Sequence, residues 1–415
     1  MIKILDKYNC CGCEACRTIC PVECINMSED NEGFLYPHVD DALCLNCHLC
    51  EKVCPILNPK QDRTPVEVIA AQNLNEKERL KSSSGGVFSL MAADVIRQGG
   101  VVFGAAFNEQ WEVEHQYVEQ IEDIIRFQGS KYVQSRIGRA YEYAEEFLKH
   151  GILVLFSGTP CQIAGLKRYL RKDYDNLITV DFICHGVPSP GIFRSYLYEE
   201  IENFACKGEG KNTVSLRSIH SISERNALLR KQHITIESIA FRNKEKGWKK
   251  YSFALTLSKT SAAGEKNTVL LSQTLDKNLY LGGFIQNLYL RPSCYHCKFR
   301  MGCSGSDYKM ADLWHIELAP QFNDDKGTSM IIAFRSKLNL QNYIWNSKNL
   351  PLSMFYNSSY FFSPRERKRK RKAFYKAYNR NKNPLFELMA RYIPFSFDEL
   401  VVNKLFQIIR NNRKR

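Results

Sequence analysis

Two runs of cysteines near the start of the sequence have the same internal spacing. One spans residues 10–20 and the other residues 44–54, and each follows C-x2-C-x2-C-x3-C with a proline directly after its last cysteine. Thiolates bind soft metals, and three this close together can hold one face of a cubane iron–sulfur cluster, with the fourth ligand arriving from elsewhere. The predicted cluster ligands are Cys10, Cys13, Cys16, Cys20, Cys44, Cys47, Cys50 and Cys54.

The duplicated spacing is the signature of bacterial-type ferredoxins with two [4Fe-4S] clusters, in which the fourth cysteine of each run ligates the other cluster. We therefore predict that Cys54 completes the cluster of the first run and that Cys20 completes the cluster of the second. Paired zinc sites are the alternative, because C-x2-C pairs also suit zinc, but the doubled cubane spacing disfavours them. Cys11 and Cys24 lie outside the pattern and are interpreted as small buried residues.

A third group of cysteines is scattered along the sequence. Cys294 and Cys297 form a C-x2-C pair with Cys303 close behind, and such a group needs distant partners. Cys161 and Cys184 are available, because each follows a predicted strand and could reach the same edge of a sheet. Five thiols for a four-ligand site leave one surplus, which the spacing does not identify. A third [4Fe-4S] cluster, a structural zinc ion and a redox dithiol at the C-x2-C pair all fit this pattern.

Two turns have the composition of anion sites. The segments "SSSGG" (82–86) and "SGTPC" (157–161) place small residues and backbone N–H groups at predicted helix N-termini. Glycine also occurs in such turns for backbone geometry alone. Either turn could therefore contact a phosphate-bearing cofactor or serve only to connect its elements.

The remaining pattern predicts an α+β and α/β multidomain chain. "GFLYPHVD" resembles part of a strand hairpin in a small two-cluster ferredoxin domain at residues 1–61, and a proline-containing linker follows. Alternating strands and helices then predict an α/β domain in two parts, residues 62–150 and 151–335, with a β-rich extension beginning near Cys206. Residues 336–415 are predicted to form a basic helical C-terminal tail. Cys206 itself is given no role.

Charge and hydropathy restrict the class of protein. The net charge is +14, and much of it lies in the tail, as in "RERKRKRK" (365–372). No nucleic-acid-binding motif accompanies these charges, so a solvated helix face or a surface for an acidic partner is favoured over a nucleic-acid role. The sequence has no signal-peptide pattern and no apolar stretch long enough for a membrane span, so a cytoplasmic location is expected. In a reducing compartment, 16 cysteines favour metal ligation over disulfides.

Several segments, in order along the chain, resemble the beta-subunit family of coenzyme F420 hydrogenases and dehydrogenases. The resemblance runs from about Val66 to about Phe334 and rests on "SSSGGVFSLMA", "GSKYVQS", "LFSGTPCQIAGLKRYL", "DFICHGVPSP" and "SCYHCKFR" followed by "SDYKMADLWHIE". It implies an FAD-binding α/β domain beside a [4Fe-4S] cluster. The implied activity is that of an iron–sulfur flavoprotein oxidoreductase acting on an unidentified small organic substrate. Bacterial relatives with a fused ferredoxin domain resemble companions of surface-polysaccharide synthesis.

The same resemblance implies site residues. Flavin contacts are expected at Ser84, Gly85, Gly86, Ser130, Lys131, Tyr132, Ser157, Gly158 and Thr159. Lys131 is the predicted cation for a flavin phosphate or for the charge of the reduced flavin, with an ordinary surface lysine as the alternative. His185 and Tyr132 are the predicted proton donors, although a histidine after a strand is also often structural.

One segment departs from the family pattern. Relatives have a "GDFWG"-like stretch where this sequence has "ADLWHIE" (311–317), so Asp312 and Trp314 match while Ala311 and His315 replace glycines. The sequence therefore does not determine the shape of the substrate pocket. Two other classes of function also stay open. One is a non-catalytic protein that transfers electrons between a ferredoxin or other redox protein and a partner enzyme, and the other is an iron–sulfur regulatory protein whose basic tail binds an acidic partner.

Overall fold

The computed structural model describes residues 1–206, 217–261, 263–335, 345–353 and 363–393. The strands are β1 Ile25–Glu29, β2 Leu35–Val39, β3 Glu67–Asn73, β4 Val101–Phe107, β5 Val113–Val118, β6 Val154–Ser157, β7 Leu177–Phe182, β8 Ile234–Asn243, β9 Ser252–Thr260, β10 Lys266–Thr274, β11 Tyr308–Asp312, β12 Ser329–Ala333 and β13 Trp345–Asn349. The α-helices are α1 Ala15–Thr18, α2 Leu49–Lys52, α3 Glu76–Lys81, α4 Val87–Arg97, α5 Ala140–Lys149, α6 Pro160–Leu170, α7 Pro190–Cys206, α8 Ile222–Lys231, α9 Leu279–Ile285, α10 Lys368–Asn379 and α11 Leu385–Tyr392. Short 3-10 helices include Lys7–Asn9, Ile121–Arg126 and Pro292–His296.

The N-terminal region is a two-stranded hairpin with one short helix for each cysteine run. β1 pairs antiparallel with β2, Ile25 lying opposite Val39, as predicted from the sequence between the runs. Helices α1 and α2 each follow a residue in the left-handed conformation, Glu14 (φ 61°) and His48 (φ 58°). These residues come directly after Cys13 and Cys47, so the chain turns in the same way within both runs.

The central sheet has the strand order β13-β3-β12-β11-β7-β6-β4-β5 among the described residues. Strands β4, β6, β7 and β11 are parallel, whereas β12 is antiparallel to both of its neighbours, β11 and β3. The mixed α/β sheet predicted from sequence is therefore confirmed. Its strands come from both parts of the predicted α/β domain, and β13 comes from the range that was predicted to be a helical tail.

A second, three-stranded antiparallel sheet of order β10-β9-β8 forms the predicted β-rich extension. The extension differs from the prediction at its start, because Cys206 ends α7 and helix α8 precedes β8. Its buried face packs in one core with residues of α7, α9 and the two C-terminal helices, including Phe253, Leu257, Phe374 and Leu388. Helix α10 is therefore a packing element with a basic outer face. The last basic segment of the sequence lies outside the described residues.

The ferredoxin-like region shares its core with the α/β sheet. Cys13 and Cys16 lie in the same apolar cluster as Tyr141 of α5 and Ile163 of α6. A Cβ atom on Gly165 of α6 would lie 2.9 Å from the Cβ of Cys13, so only glycine permits this approach. No helix of the described residues is long and apolar enough to cross a membrane.

A buried ion pair lies at the junction of β7 and β11. Lys309 Nζ donates to Asp181 Oδ1 at 2.7 Å, and their side chains are 2% and 0% exposed. Next to it, Asp307 Oδ2 accepts hydrogen bonds from the backbone N–H and the hydroxyl of Thr179. Removing one partner of a buried pair is costly because the other charge stays buried without compensation.

We expect Lys309→Met to lower the free energy of unfolding of the α/β region by about 3–5 kcal/mol, measured by urea denaturation. Lys326→Met is the matched control, because its ion pair with Glu76 is solvent-exposed and worth at most about 1 kcal/mol. Equal losses in the two variants would contradict the role assigned to the buried pair.

Candidate functional site: two thiol-lined cavities, a third thiol group and a polar turn

The structure brings the two cysteine runs together into two cavities. The inner cavity is lined by Cys10, Cys13 and Cys16 of the first run and by Cys54 of the second, and Cys11 lines it as well. Apolar side chains such as Met27 complete its wall. This combination of three thiols from one run with the fourth from the other is the arrangement predicted from the spacing.

The outer cavity is lined by Cys44, Cys47 and Cys50 of the second run and by Cys20 of the first, together with Cys24. Cys47 is exposed, so this cavity lies nearer to the protein surface. Cys24 is buried here with its Sγ 3.4 Å from the Sγ of Cys20. Both cavities are therefore suited to the cubane clusters for which the spacing is typical.

Burial shifts the pKa values of thiols in the inner cavity. It raises the pKa of Cys16 and of Cys54 above the ordinary range. Thiols in this environment keep their protons until a metal replaces them, because the thiolate is the form that binds. Assembly of a cluster is thus coupled to proton release.

The third group resolves into four thiols and one outlier. After burial, the charges of Cys294, Cys161 and Cys297 are the next causes that raise the pKa of Cys184. The four thiols are therefore within electrostatic reach of one another. Cys303 is directed elsewhere, because its Sγ donates to Asp62 Oδ1 at 2.7 Å.

Three elements hold the four thiols. Cys161 lies in the first turn of α6, Cys184 follows β7, and Cys294 lies in the 3-10 helix Pro292–His296, with Cys297 directly after that helix. The backbone N–H of Val187 donates to Cys294 Sγ at 3.4 Å. Burial raises the pKa of Cys294 to about 12. Among the described residues, no three His, Cys, Asp or Glu side chains close around a single metal-ion position.

Cys11 has a position that its sequence did not indicate. It was interpreted as a small buried residue, and it is 6% exposed. It packs, however, in the same apolar cluster as Cys13, and Cys161 and Cys297 pack against that cluster. Cys11 therefore connects the inner cavity to the third thiol group.

The turn of residues 82–86 and the segment of residues 130–132 are in contact. Ser83 Oγ accepts hydrogen bonds from the backbone N–H and the hydroxyl of Ser130, at 2.6 and 2.8 Å. Ser84 Oγ donates to Thr328 O, and the N–H of Gly85 donates to Ser329 Oγ. Gly85 is needed for packing, since a Cβ there would lie 2.5 Å from Ala71 O. Gly86 has a φ of 76° and caps helix α4.

The turn of residues 157–161 instead directs its polar groups inward. Ser157 Oγ donates to Phe103 O, and the N–H of Gly158 donates to Val180 O. Thr159 caps α6 through a reciprocal pair of contacts with Gln162. This turn therefore carries Cys161 to the third thiol group and offers few free donors to another ligand.

Lys131 and Tyr132 have different environments. Lys131 Nζ donates to Arg126 O and Gln128 O, and burial lowers its pKa to about 7. The ring of Tyr132 stacks on Phe284 with centroids 4.6 Å apart, and burial raises the pKa of its hydroxyl. Tyr132 thus keeps its proton at neutral pH and can donate it.

His185 contacts the same phenylalanine. Its ring packs edge-on against Phe284 at 5.0 Å, and its Nε2 is 2.6 Å from Asn287 Oδ1. The two predicted proton donors therefore both contact the ring of Phe284. Through this ring, the segment that carries Cys184 is in contact with the segment that carries Tyr132.

The sequence analysis missed two cations of the β-rich extension. Arg242 of β8 has a side chain that is 3% exposed and bonds to Asp312 through Nη1. Its Nε and Nη2 have no hydrogen-bond partner in the part of the chain that the structure describes. Trp248 donates to the same carboxylate and stacks on Trp314 with centroids 4.7 Å apart. Only the match of Asp312 and Trp314 to the family pattern pointed toward this cluster.

Lys244 is the second missed cation. Its Nζ donates to the backbone oxygens of Arg79, Ser84 and Lys326, at 2.9, 2.7 and 2.8 Å. Burial lowers the pKa of this amine to about 7. Lys244 therefore joins the β-rich extension to the turn of residues 82–86.

Four of these features lie along one edge of the central sheet. Strands β3, β11, β7 and β6 point the same way, so their carboxyl ends share that edge. The turn of residues 82–86 lies at the end of β3, where the N–H of Asn73 donates to Gly85 O, and Asp312 ends β11. Cys184 follows β7, and Cys161 follows β6. Ligands of open α/β sheets bind at this edge.

Two family models match parts of this chain. Residues 152–340 match the model for the C-terminal part of the beta subunit of coenzyme F420 hydrogenase/dehydrogenase, and residues 9–57 match the 4Fe-4S dicluster domain. Among solved structures, the xenon-derivatized F420-reducing [NiFe] hydrogenase complex from Methanosarcina barkeri is similar, with 14% identity over 69% of this chain and 82% of that chain and a TM-score of 0.38. A search of curated proteins gave no match. The two family matches confirm the resemblance stated from the sequence.

We expect Lys244→Met to destabilise the protein by about 2–3 kcal/mol, because three carbonyl oxygens lose a donor in a buried site. Hydrogen exchange of the amides of residues 82–86 should rise in the same variant. Lys249→Met, which removes an exposed bond to Asn323, is the control and should leave both measurements unchanged. Unchanged exchange in Lys244→Met would contradict the role of Lys244 in holding this turn.

Proposed function

We propose that this chain, which joins a 4Fe-4S dicluster domain to a coenzyme F420 hydrogenase/dehydrogenase beta-subunit domain, is an iron–sulfur flavoprotein oxidoreductase with an unidentified organic substrate. One observation carries the proposal. The group formed by Cys161, Cys184, Cys294 and Cys297 meets the ferredoxin-like region on one side, where Cys161 and Cys297 pack against the apolar cluster that contains Cys11 and Cys13. On the other side the group reaches Tyr132 through His185 and Phe284. The candidate redox groups are therefore contiguous.

We assign a third [4Fe-4S] cluster to these four thiols and leave Cys303 out of its ligand set. The buried position of the thiols supports this, because a group of buried sulfurs is stabilised when a cluster replaces the thiol protons. The separation of Cys303, which is bonded to Asp62, supports the choice of the four. The eight cysteines of the two runs are assigned to the clusters of the dicluster domain.

We assign FAD to the polar turn and the β-rich extension that covers it. The unpartnered Nε and Nη2 of the buried Arg242 support an anionic or carbonyl-bearing ligand there, because buried guanidinium donors are rarely left unpaired. Ser83 and Ser130 would bind polar groups of the cofactor, and Trp314, which is 41% exposed, offers a flat apolar surface to a ring. A bound flavin supplies the exchange between one-electron and two-electron chemistry.

Individual residues then have distinct roles. Tyr132 holds a proton at its hydroxyl and orients the ligand by its position beside Arg242 and Tyr251. His185, fixed by Asn287, is the second proposed proton donor. Lys131 donates to two carbonyl groups of its own loop and so stabilises the shape of that loop. It also supplies a positive charge near the proposed flavin. Ser157, Gly158 and Thr159 serve the position of Cys161 more directly than that of the flavin.

The partner that exchanges electrons with this chain would dock at the outer cavity. Cys47 is exposed there, and so are two apolar side chains that line the same cavity, Val22 and Leu45. An exposed apolar rim around a cluster site is suited to a small, transient interface with another redox protein. A link to surface-polysaccharide synthesis stays a prediction from the resemblance alone.

The direct test is the cofactor content of protein purified without oxygen. We expect about twelve irons, with matching acid-labile sulfide, from three cubane clusters, together with one FAD per chain. About eight irons and no flavin would contradict the proposal and would favour a non-catalytic electron carrier.

Two cysteine variants test the choice of ligands. We expect Cys294→Ser to reduce the iron content to about eight per chain, because one of three cubane clusters loses a ligand. Cys303→Ser is the matched control from the same segment and should retain about twelve. Loss of iron in Cys303→Ser, with full retention in Cys294→Ser, would overturn the assignment.

A further inference from the structure

Arg291 is a fully buried cation between the ferredoxin-like region and the α/β domain. It is 0% exposed and directly precedes the 3-10 helix that carries Cys294. Its guanidinium reaches across to the first cysteine run. A charge in this position must be stabilised by its neighbours, since an unpaired buried charge is strongly unfavourable.

The contacts of Arg291 are well defined. Nε donates to Cys10 O at 2.7 Å, Nη1 donates to Gln134 Oε1 at 2.9 Å, and Nη2 donates to Leu35 O at 2.9 Å. Nη2 also lies 3.4 Å from Cys10 Sγ, and the ring of Tyr36 packs at 4.2 Å. None of the described hydrogen bonds of Arg291 goes to a carboxylate. The sulfur of Cys10 is therefore the group beside it that can carry a full negative charge.

We infer that Arg291 raises the reduction potential of the cluster held in the inner cavity by donating a charged N–H···S hydrogen bond to Cys10. This inference rests on the proposed ligation of that cluster by Cys10. Reduction adds an electron to the cluster, and a nearby positive charge stabilises the reduced form more than the oxidised form. Because the site is buried, solvent screens this interaction little.

The consequence is a difference between the two clusters of the dicluster domain. Among the described residues, no arginine is bonded to a cysteine sulfur of the outer cavity, where Cys47 is exposed to solvent. Arg291 therefore favours reduction of the inner cluster, and no such donor acts on the outer one. Electrons that enter at the exposed outer cluster are drawn toward Cys11 and the third thiol group.

Two other arginines cross the same interface and provide controls. Arg194 of α7 bonds to Glu29 of β1, and Arg371 of α10 bonds to Glu32. Both hold the ferredoxin-like region through carboxylates and are not bonded to a cysteine sulfur. Substitution of these arginines therefore distinguishes the effect of domain docking from the effect of a positive charge beside Cys10.

The test is a potentiometric titration, followed by electron paramagnetic resonance, of the full chain purified without oxygen. We expect Arg291→Gln to shift the midpoint potential of one cluster to a more negative value and to leave the other signals in place. Arg291→Lys, which keeps the charge but loses the planar fork, should give a smaller shift in the same direction. Arg194→Gln should leave all midpoint potentials unchanged.

Unchanged potentials in Arg291→Gln and Arg291→Lys, with iron content intact, would overturn the inference. So would an equal shift in Arg194→Gln, because the effect would then come from docking alone. If Arg291→Gln assembles no inner cluster, the midpoint potential of that cluster in Arg291→Lys tests the inference instead. Loss of the inner cluster in the lysine variant as well would count against the inference. A wild-type protein with two clusters and no flavin would refute the proposed function and still allow the Arg291 shift to be measured.

Discussion

Helix α6 packs directly on the first cysteine run, and the positions of the other candidate redox groups depend on this contact. Gly165 allows the backbone of α6 to approach Cys13, and the first turn of the same helix carries Cys161 to the apolar cluster that contains Cys11. A side chain at residue 165 would force the two regions apart. The shared apolar core then fixes the distance between the inner cavity and the third thiol group, since close-packed interiors leave little room for sliding.

The carboxyl edge of the central sheet provides the second part of the arrangement. The strands that carry Cys161 and Cys184 lie beside the strand that ends at Asp312, and β3 brings the turn of residues 82–86 to the same edge. The β-rich extension covers this turn with Arg242 and Lys244. One sheet therefore aligns the thiols of Cys161 and Cys184 at one end of its edge and a polar, aromatic cluster at the other. This order is suited to moving electrons over short distances within a protein interior.

The sequence was most informative where chemistry fixes the spacing. The two cysteine runs predicted both the dicluster domain, which the family match supports, and the exchange of fourth cysteines between the two cavities, because a cubane demands ligands at set intervals. Strand and helix patterns likewise predicted the mixed α/β region. Contacts between residues far apart in the sequence could not be predicted from local spacing. Nothing local distinguishes Cys303 from Cys297, and only the fold shows that Asp62 lies beside the former.

Arg242, Lys244 and Arg291 illustrate the same limit. Each is an ordinary basic residue in a chain with 58 lysines and arginines, and burial rather than sequence context distinguishes it. β13 was missed because its segment is polar, and it pairs with β3 at the margin of the sheet. The resemblance implied flavin contacts for whole segments, such as residues 157–161. The fold shows which residues of such a segment position a thiol and which have groups free to contact a ligand.

The central claim is that the third thiol group connects the dicluster domain to a flavin. The most direct measurement is anaerobic rapid mixing of the oxidised holoprotein with a one-electron donor, with flavin absorbance followed in the wild type and in Cys294→Ala. The account predicts fast flavin reduction in the wild type and at least a tenfold slower reduction in the variant, roughly 1.4 kcal/mol in barrier height, while the dicluster domain is still reduced at the wild-type rate. Equal rates of flavin reduction in the two proteins would contradict it.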